Sequence, residues 1–143
     1  MSTLNIFLIY LIFQLKFFII KFMRTRLKNI SINFMEIKIK NFLFSIGLNE
    51  KYISFDYLTS ILIFLIKKDN SDFSTYHEAV CWLMNKYGVS SRTIIQGLHK
   101  IISMCNHPSI TSLPQFKLGK SKTIHKIRII KIFAENHLLE ISI

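Results

Sequence analysis

His77 to Ile102 reads HEAVCWLMNKYGVSSRTIIQGLHKII, and this stretch decides the fold. Tyr76, Val80, Leu83, Met84 and Tyr87 recur every three or four residues, the period of a helix with one apolar face. Gly88 interrupts that period. Ser90 or Ser91 then offers a side-chain oxygen to cap a second helix. Ile94, Ile95, Leu98, Ile101 and Ile102 are expected inward on that second helix. A helix ending in Lys86-Tyr87-Gly88, a short turn, and a helix opening on Ser91, Arg92 and Thr93 is the layout of a helix-turn-helix. In such a unit the second helix enters the DNA major groove with its first-turn side chains at base edges.

Upstream, Glu36–Ile46 carries a helical stripe of Ile39, Phe42, Leu43 and Ile46, and Gly47 stands where a C-terminal cap belongs. Ser54 is expected to cap a further helix with Phe55, Leu58, Ile61, Leu62 and Leu65 on one face, closed by Lys67 and Lys68 on the favourable side of the helix dipole. KDNSD at 68–72 is a polar loop, and Phe73 or Ser74 begins the next helix. Downstream, Pro108 and Pro114 bracket an expected linker, SLPQFKLGKSKTIHK. A last amphipathic helix is expected over Ile124–Ile141, with Ile127, Ile130, Phe133, Ala134, Leu138 and Ile141 recurring. Alternating strand patterns and internal repeats are missing. The expectation is an all-α bundle of about five to six helices containing a helix-turn-helix and preceded by an apolar helix.

The 143 residues, 50% hydrophobic, suit one packed domain. Four Gly and two Pro exclude a collagen-like chain, and neither a P-loop nor a G-x-G-x-x-G motif occurs. Nineteen Lys and Arg against eight Asp and Glu give a net charge of +11, which suits a polyanionic partner. Two cysteines cannot build a disulfide framework, and a reducing cytoplasm suits them.

Residues 1–35 form a separate segment ahead of the domain expected at 36–143. Ile6 to Met23, IFLIYLIFQLKFFIIKFM, is almost all apolar, interrupted by Gln14, Lys16 and Lys21. The run is near the lower length limit for a membrane-spanning helix. A central Lys costs about 2.5–3.5 kcal/mol in hydrocarbon. The run lacks the flanks of a signal peptide. Lys21, Arg24, Arg26 and Lys28 follow it, so on insertion the rest of the chain would stay cytoplasmic. Three readings stand: membrane contact through 6–23, packing on the domain or a partner, and a start codon assigned too early.

Catalysis has little support. His77 and Cys81, four apart on one helix, are two ligands of a metal site that Cys105 and His107 would have to complete. Cys81 reads more simply as a small buried hydrophobe beside Trp82, with His77 near the surface. Glu78 and Glu135 are isolated carboxylates, with no second acid placed beside them. The expectation is no enzyme, no metal and no cofactor. The 13 Phe and five Tyr lie among aliphatics at helical spacing, as core or membrane material. Such a pattern favours duplex over single-strand recognition.

Residues 43–103 resemble the C-terminal DNA-binding effector domain of the master sporulation response regulators, stage-zero sporulation protein A. That family carries I-G-V-P-x-x-I-K-G-Y-x-Y-L, matched here without a gap by Ile46-Gly47-Leu48-Asn49 and Phe55-Asp56-Tyr57-Leu58. Its K-Y-x-T-T turn falls on Lys86-Tyr87-Gly88-Val89-Ser90-Ser91, and its A-I…A-I spacing on Gly97-Leu98 and Ile101-Ile102. Phe133-Ala134-Glu135 and Leu139-Glu140 are loosely similar to its last helix. The resemblance implies a bundle of about six helices, sequence-specific DNA binding and transcription control in a spore-forming bacterium. This chain departs from the family where the recognition helix begins S-R-V-E-R. Arg92, Thr93, Ile94, Ile95 and Gln96 stand there, which puts specificity in doubt rather than fold. The family's G-Y is Ser54-Phe55. The receiver domain of the full regulators is not expected, because 143 residues cannot hold both domains.

The expected partner is double-stranded DNA, with homodimerisation on DNA open, in the cytoplasm or tethered to a membrane on its cytoplasmic side. Ser90, Ser91, Arg92, Thr93, Gln96 and Lys100 are the residues expected at the groove or its flanking phosphates. Arg92 is the candidate for a bidentate guanine contact, worth about 1–3 kcal/mol of base discrimination. Lys86 is expected on phosphate. So is the run Lys117, Lys120, Lys122, Lys126, Arg128 and Lys131, which makes binding salt-dependent. Two alternatives remain: a paralogue that keeps the fold but binds protein, with Ile95 exposed for a helix contact, and a small membrane-associated protein.

Overall fold

The computed structural model describes residues 3–29, 31–69, 72–117 and 123–142, with side chains except at 3, 20–29, 115, 117 and 140–142. In chain order the elements are α1 (Thr3–Asn29), α2 (Ile32–Ser45), α3 (Ile53–Lys68), α4 (Phe73–Tyr87), α5 (Ser91–Ile102), α6 (Pro108–Thr111), α7 (Pro114–Lys117) and α8 (Thr123–Ser142). The described chain is all-helical, as expected. Five helices of twelve residues or more form the bundle, α6 and α7 are single turns, and α1 precedes them.

The bundle is built around α3. Its sequence YLTSILIFLI is apolar on nearly every face, which suits a helix enclosed by neighbours rather than one lying at a surface. α2, α4, α5 and α8 all pack on it, and its Phe55, Leu58, Ile61, Leu62 and Leu65 are fully buried. Each such side chain contributes about 1.5–3 kcal/mol on leaving water. Two of its buried hydroxyls show how such groups are satisfied. Thr59 Oγ1 donates to Phe55 O at 2.9 Å, and Ser60 Oγ receives the Lys86 ammonium at 3.3 Å.

The helix ends follow local chemistry. Gly47, at φ +92, donates to Phe44 O at 3.1 Å, while Leu48 N donates to Leu43 O at 3.1 Å. This pair of bonds closes α2 and folds buried Leu48 back on it. The space beside Gly47 is filled by the Asn106 side chain, and Asn106 N donates to Ile46 O at 3.2 Å. The tail of α5 is thereby tied to the end of α2. Asp72 Oδ1 caps α4 by accepting from Thr75 N at 2.8 Å.

Several boundaries differ from expectation. α2 begins ahead of the expected Glu36: Ser31 accepts from Phe34 N at 3.3 Å, the helix opens at Ile32, and Met35 is already fully buried. Ser54 does not cap α3. Tyr52 holds that position without a side-chain bond, and Ser54 is buried in the first turn. The region of the expected linker is partly helical: Pro108 and Pro114 each open a single turn, and α8 begins at Thr123. Ile95 is exposed: it sits just outside one edge of the buried stripe Ile94, Leu98, Ile101 and Ile102, on the side of Ile102. Cys81 is exposed too, not buried beside Trp82, because α4 turns its Tyr76, Ala79, Val80 and Leu83 face inward. In α8, Ile127, Ile130, Ala134 and Leu138 are buried and Phe133 is partly so. Among the described residues, no helix is long and apolar enough to cross a membrane.

Candidate nucleic-acid interface

The α4–α5 junction is fixed from both sides. Gly88 takes the left-handed conformation at φ +65, and Gly88 N donates to Met84 O at 2.9 Å. Val89 turns back to give a second bond to the same oxygen at 3.3 Å. Ser90 Oγ then accepts from Thr93 N at 3.3 Å and meets Thr93 Oγ1 at 3.0 Å, capping α5. The Tyr87 ring meets Tyr57 edge-on, with centroids 4.9 Å apart, and holds the end of α4 against α3. Where α5 crosses α3 the residue is Gly97, and Ser54 and Tyr57 of α3 occupy the room a side chain would need.

That packing turns a polar face outward. Ser91, Arg92, Gln96, His99 and Lys100 are exposed on α5, with Ile95 the one large apolar residue among them. Arg92 and Lys100 have no carboxylate partner among the described residues. The Lys100 ammonium lies 5.4 Å from the centre of the Tyr52 ring, and Lys51 stands 5.4 Å from the same ring. Cation–π placement of this kind leaves the ammonium free to face a phosphate. Sequence reasoning missed Lys51 and Tyr52. No spacing rule relates position 51 to position 100; only the α3–α5 crossing brings them together.

The expected site residues separate into three sets. Ser91, Arg92, Gln96 and Lys100 share the outward face. Ser90 and Thr93 lie at its start, with their hydroxyls engaged in the cap. Lys86 is held apart, its ammonium bonded to Ser60 and lying 5.0 Å from the centre of the Trp82 ring. Lys120 and Lys122 fall outside the described residues. The rest of the basic run is not one exposed stripe. Lys131 is buried against Glu135 at 2.9 Å, an acid four residues on that the run itself did not show. Lys126 sits 5.6 Å from the centre of the Phe116 ring.

No family model, curated protein or solved structure matches the chain.

Other reactive side chains remain dispersed. His77 Nε2 and Cys81 Sγ are 3.7 Å apart at the surface of α4. No group of three or more His, Cys, Asp or Glu able to hold a metal occurs among the described residues. Burial pushes the Cys105 thiol up, against the smaller lowering effect of its backbone bond with His107. Such a thiol is poorly ionised and unreactive. His107 Nδ1 and His137 Nε2 are buried without a partner among the described residues, beside a cavity of about 390 Å³.

Proposed function

We propose that this chain is a duplex-DNA-binding regulator that reads sequence with α5 in the major groove, working on the cytoplasmic side as the sporulation-regulator resemblance implies. The observation that carries the reading is the outward face of α5, where Arg92 and Gln96 stand one turn apart with Lys100 beyond them. Four residues advance about 6 Å along the helix, comparable to the ~6.8 Å rise of two base pairs. Arg92 has the fork to bond guanine O6 and N7, and Gln96 the amide to bond adenine N6 and N7. Lys100 and Lys51 supply phosphate contacts that set register without reading bases. Ile95 suits a thymine methyl group.

The exposed Ile95 equally favours a second reading, in which the same face receives a protein helix. A titration of the chain against random duplex and against a library-selected site, at several salt concentrations, separates the two. A defined motif bound at least ~10³-fold above random duplex supports DNA reading. Arg92→Ala should then lower that preference roughly 5- to 150-fold, for ~1–3 kcal/mol. Lys100→Gln should weaken all duplexes alike and reduce the salt slope by about 0.9. Enrichment of no motif, with equal sequence-blind losses from both variants, would leave only charge attraction and turn attention to protein partners.

A further inference from the structure

α1 and the end of the bundle it joins carry a second surface, independent of the DNA reading. Every described side chain from Leu4 to Ile19 is exposed. Four consecutive residues sample all sides of a helix, and Phe7, Leu8, Ile9 and Tyr10 are 61%, 46%, 66% and 62% exposed. A groove on a protein covers one side of a helix. A helix apolar all round calls for surroundings apolar all round. The stretch is also basic. No acidic residue precedes Glu36, while Lys16, Lys21, Arg24, Arg26 and Lys28 lie before it.

A groove at the root of α1 repeats this chemistry. Ile32 at the start of α2, Ile63 and Phe64 of α3 and Trp82 of α4 wall a cavity of about 500 Å³. Lys67, Lys68 and Lys86 line it as well. The lining thus carries three lysines against one carboxylate, Glu36, which lies 3.2 Å from Lys40. Lys68 and Lys86 lie over the Phe64 and Trp82 rings, 5.7 Å and 5.0 Å from their centres. Apolar walls with an ammonium rim fit the boundary between acyl chains and anionic headgroups.

We propose that the occupant is an anionic lipid bilayer: α1 is buried among acyl chains, and the Lys67–Lys68 end of the bundle rests on the headgroups with Trp82 at the boundary. Burial of α1 in lipid does not require that it cross. The Lys16 ammonium, on a flexible stem, reaches back to the headgroup level. The α4–α5 turn lies beside Tyr57, ten residues and about 15 Å along α3 from Lys67, so lipid and α5 are served by separate parts of α3.

The test uses the full chain, exchanged from mild detergent into vesicles of neutral lipid or of neutral lipid mixed with phosphatidylglycerol, then floated on a density gradient. Trp82 is the only tryptophan, so its quenching by a lipid labelled near the headgroup reports docking of the bundle. The chain is expected to float with both vesicles and resist high salt. Trp82 quenching is expected only with the anionic vesicles, and should fall several-fold in Lys67→Gln/Lys68→Gln. Ile9→Asp/Phe13→Asp, outside the core, should stop flotation while leaving the helical circular dichroism intact. A chain that stays at the bottom as an oligomer overturns the proposal and makes a second copy the occupant of α1. Flotation with Trp82 unquenched, or quenched alike in neutral and anionic vesicles, overturns the docking of the bundle on anionic headgroups.

Discussion

Gly97 is where the placement of α5 can be tested most directly. A Cβ added there would lie 3.1 Å from Tyr57 Cδ2, 3.2 Å from Tyr57 Cε2 and 3.3 Å from Ser54 Cβ. These are tighter than ordinary carbon contacts. The Tyr57 ring has little room to give, because it is 4% exposed and already abuts Tyr87. Two terms of opposite sign therefore compete in Gly97→Ala. Alanine in a helix interior gains about 1 kcal/mol over glycine. Forcing a methyl into a packed crossing costs about 1–3 kcal/mol. The expected net is a destabilisation of up to ~2 kcal/mol, and Gly97→Val should reach about 3 kcal/mol, the top of the usual overpacking range. Urea denaturation followed by circular dichroism reads both. The decisive arm is the same change in Tyr57→Leu, whose methyls can turn away where the planar ring cannot. There the propensity gain is opposed only by the looser Ser54 contact, so Gly97→Ala should be neutral or stabilise by up to ~1 kcal/mol, and the cycle should show coupling above ~1 kcal/mol. Stabilisation of equal size in both backgrounds would show that α5 does not cross α3 at Gly97. The orientation of Arg92 and Gln96 derived from that crossing would fall with it.

Leu98→Ala removes a fully buried side chain from the inner face of α5 and should cost about 2–5 kcal/mol in the same unfolding assay. A thiol reagent applied to the folded chain at mildly alkaline pH should modify Cys81, which is exposed, and spare Cys105, whose ionisation burial opposes; unfolding in urea should expose the second thiol. Burial also pushes the Tyr76 hydroxyl up. The folded chain then keeps a proton that the unfolded chain releases above about pH 10, so stability present below that pH should decline as pH rises further, and Tyr76→Phe should flatten the decline.

The inward half of this fold was legible because burial imposes a period. Ile39, Phe42, Leu43 and Ile46 on α2, and Ile94, Leu98, Ile101 and Ile102 on α5, recur at helical spacing and are buried. Gly47 and Gly88 were legible for a similar reason, since both stand where a positive φ closes a helix. Where two residues compete for one role, sequence alone does not choose. Ser54 and Tyr52 both precede the apolar run of α3, and the choice goes to Tyr52 because Ser54 is needed small against Gly97. Ile95 counts as core by its apolar letter, yet the buried stripe ends just short of it, beyond Ile102.

The outward half has no such period, and the errors there have a common cause. Exposed residues are placed by what the core does to the helices that carry them, and that is a property of helix crossings. Lys131 belongs to a run of basic letters, but the inner face of α8 carries it into the bundle, where Glu135 one turn away neutralises it. Lys86 follows the same logic: the Tyr57–Tyr87 contact sets the end of α4, and the neighbouring ammonium is drawn to Ser60 and Trp82 rather than towards α5. Lys100 moves the other way and meets Lys51, forty-nine residues distant, across one tyrosine ring. Among the described residues, the outward basic groups are thus fewer and more local than a net charge of +11 suggests. Among the described side chains, Arg92 and Lys100 of α5 gather with Lys51 at one place, and Lys67, Lys68 and Lys86 gather at another. Two basic surfaces of different character, one with polar neighbours and one with aromatic walls, favour two polyanions of different chemistry over a single extended nucleic-acid track.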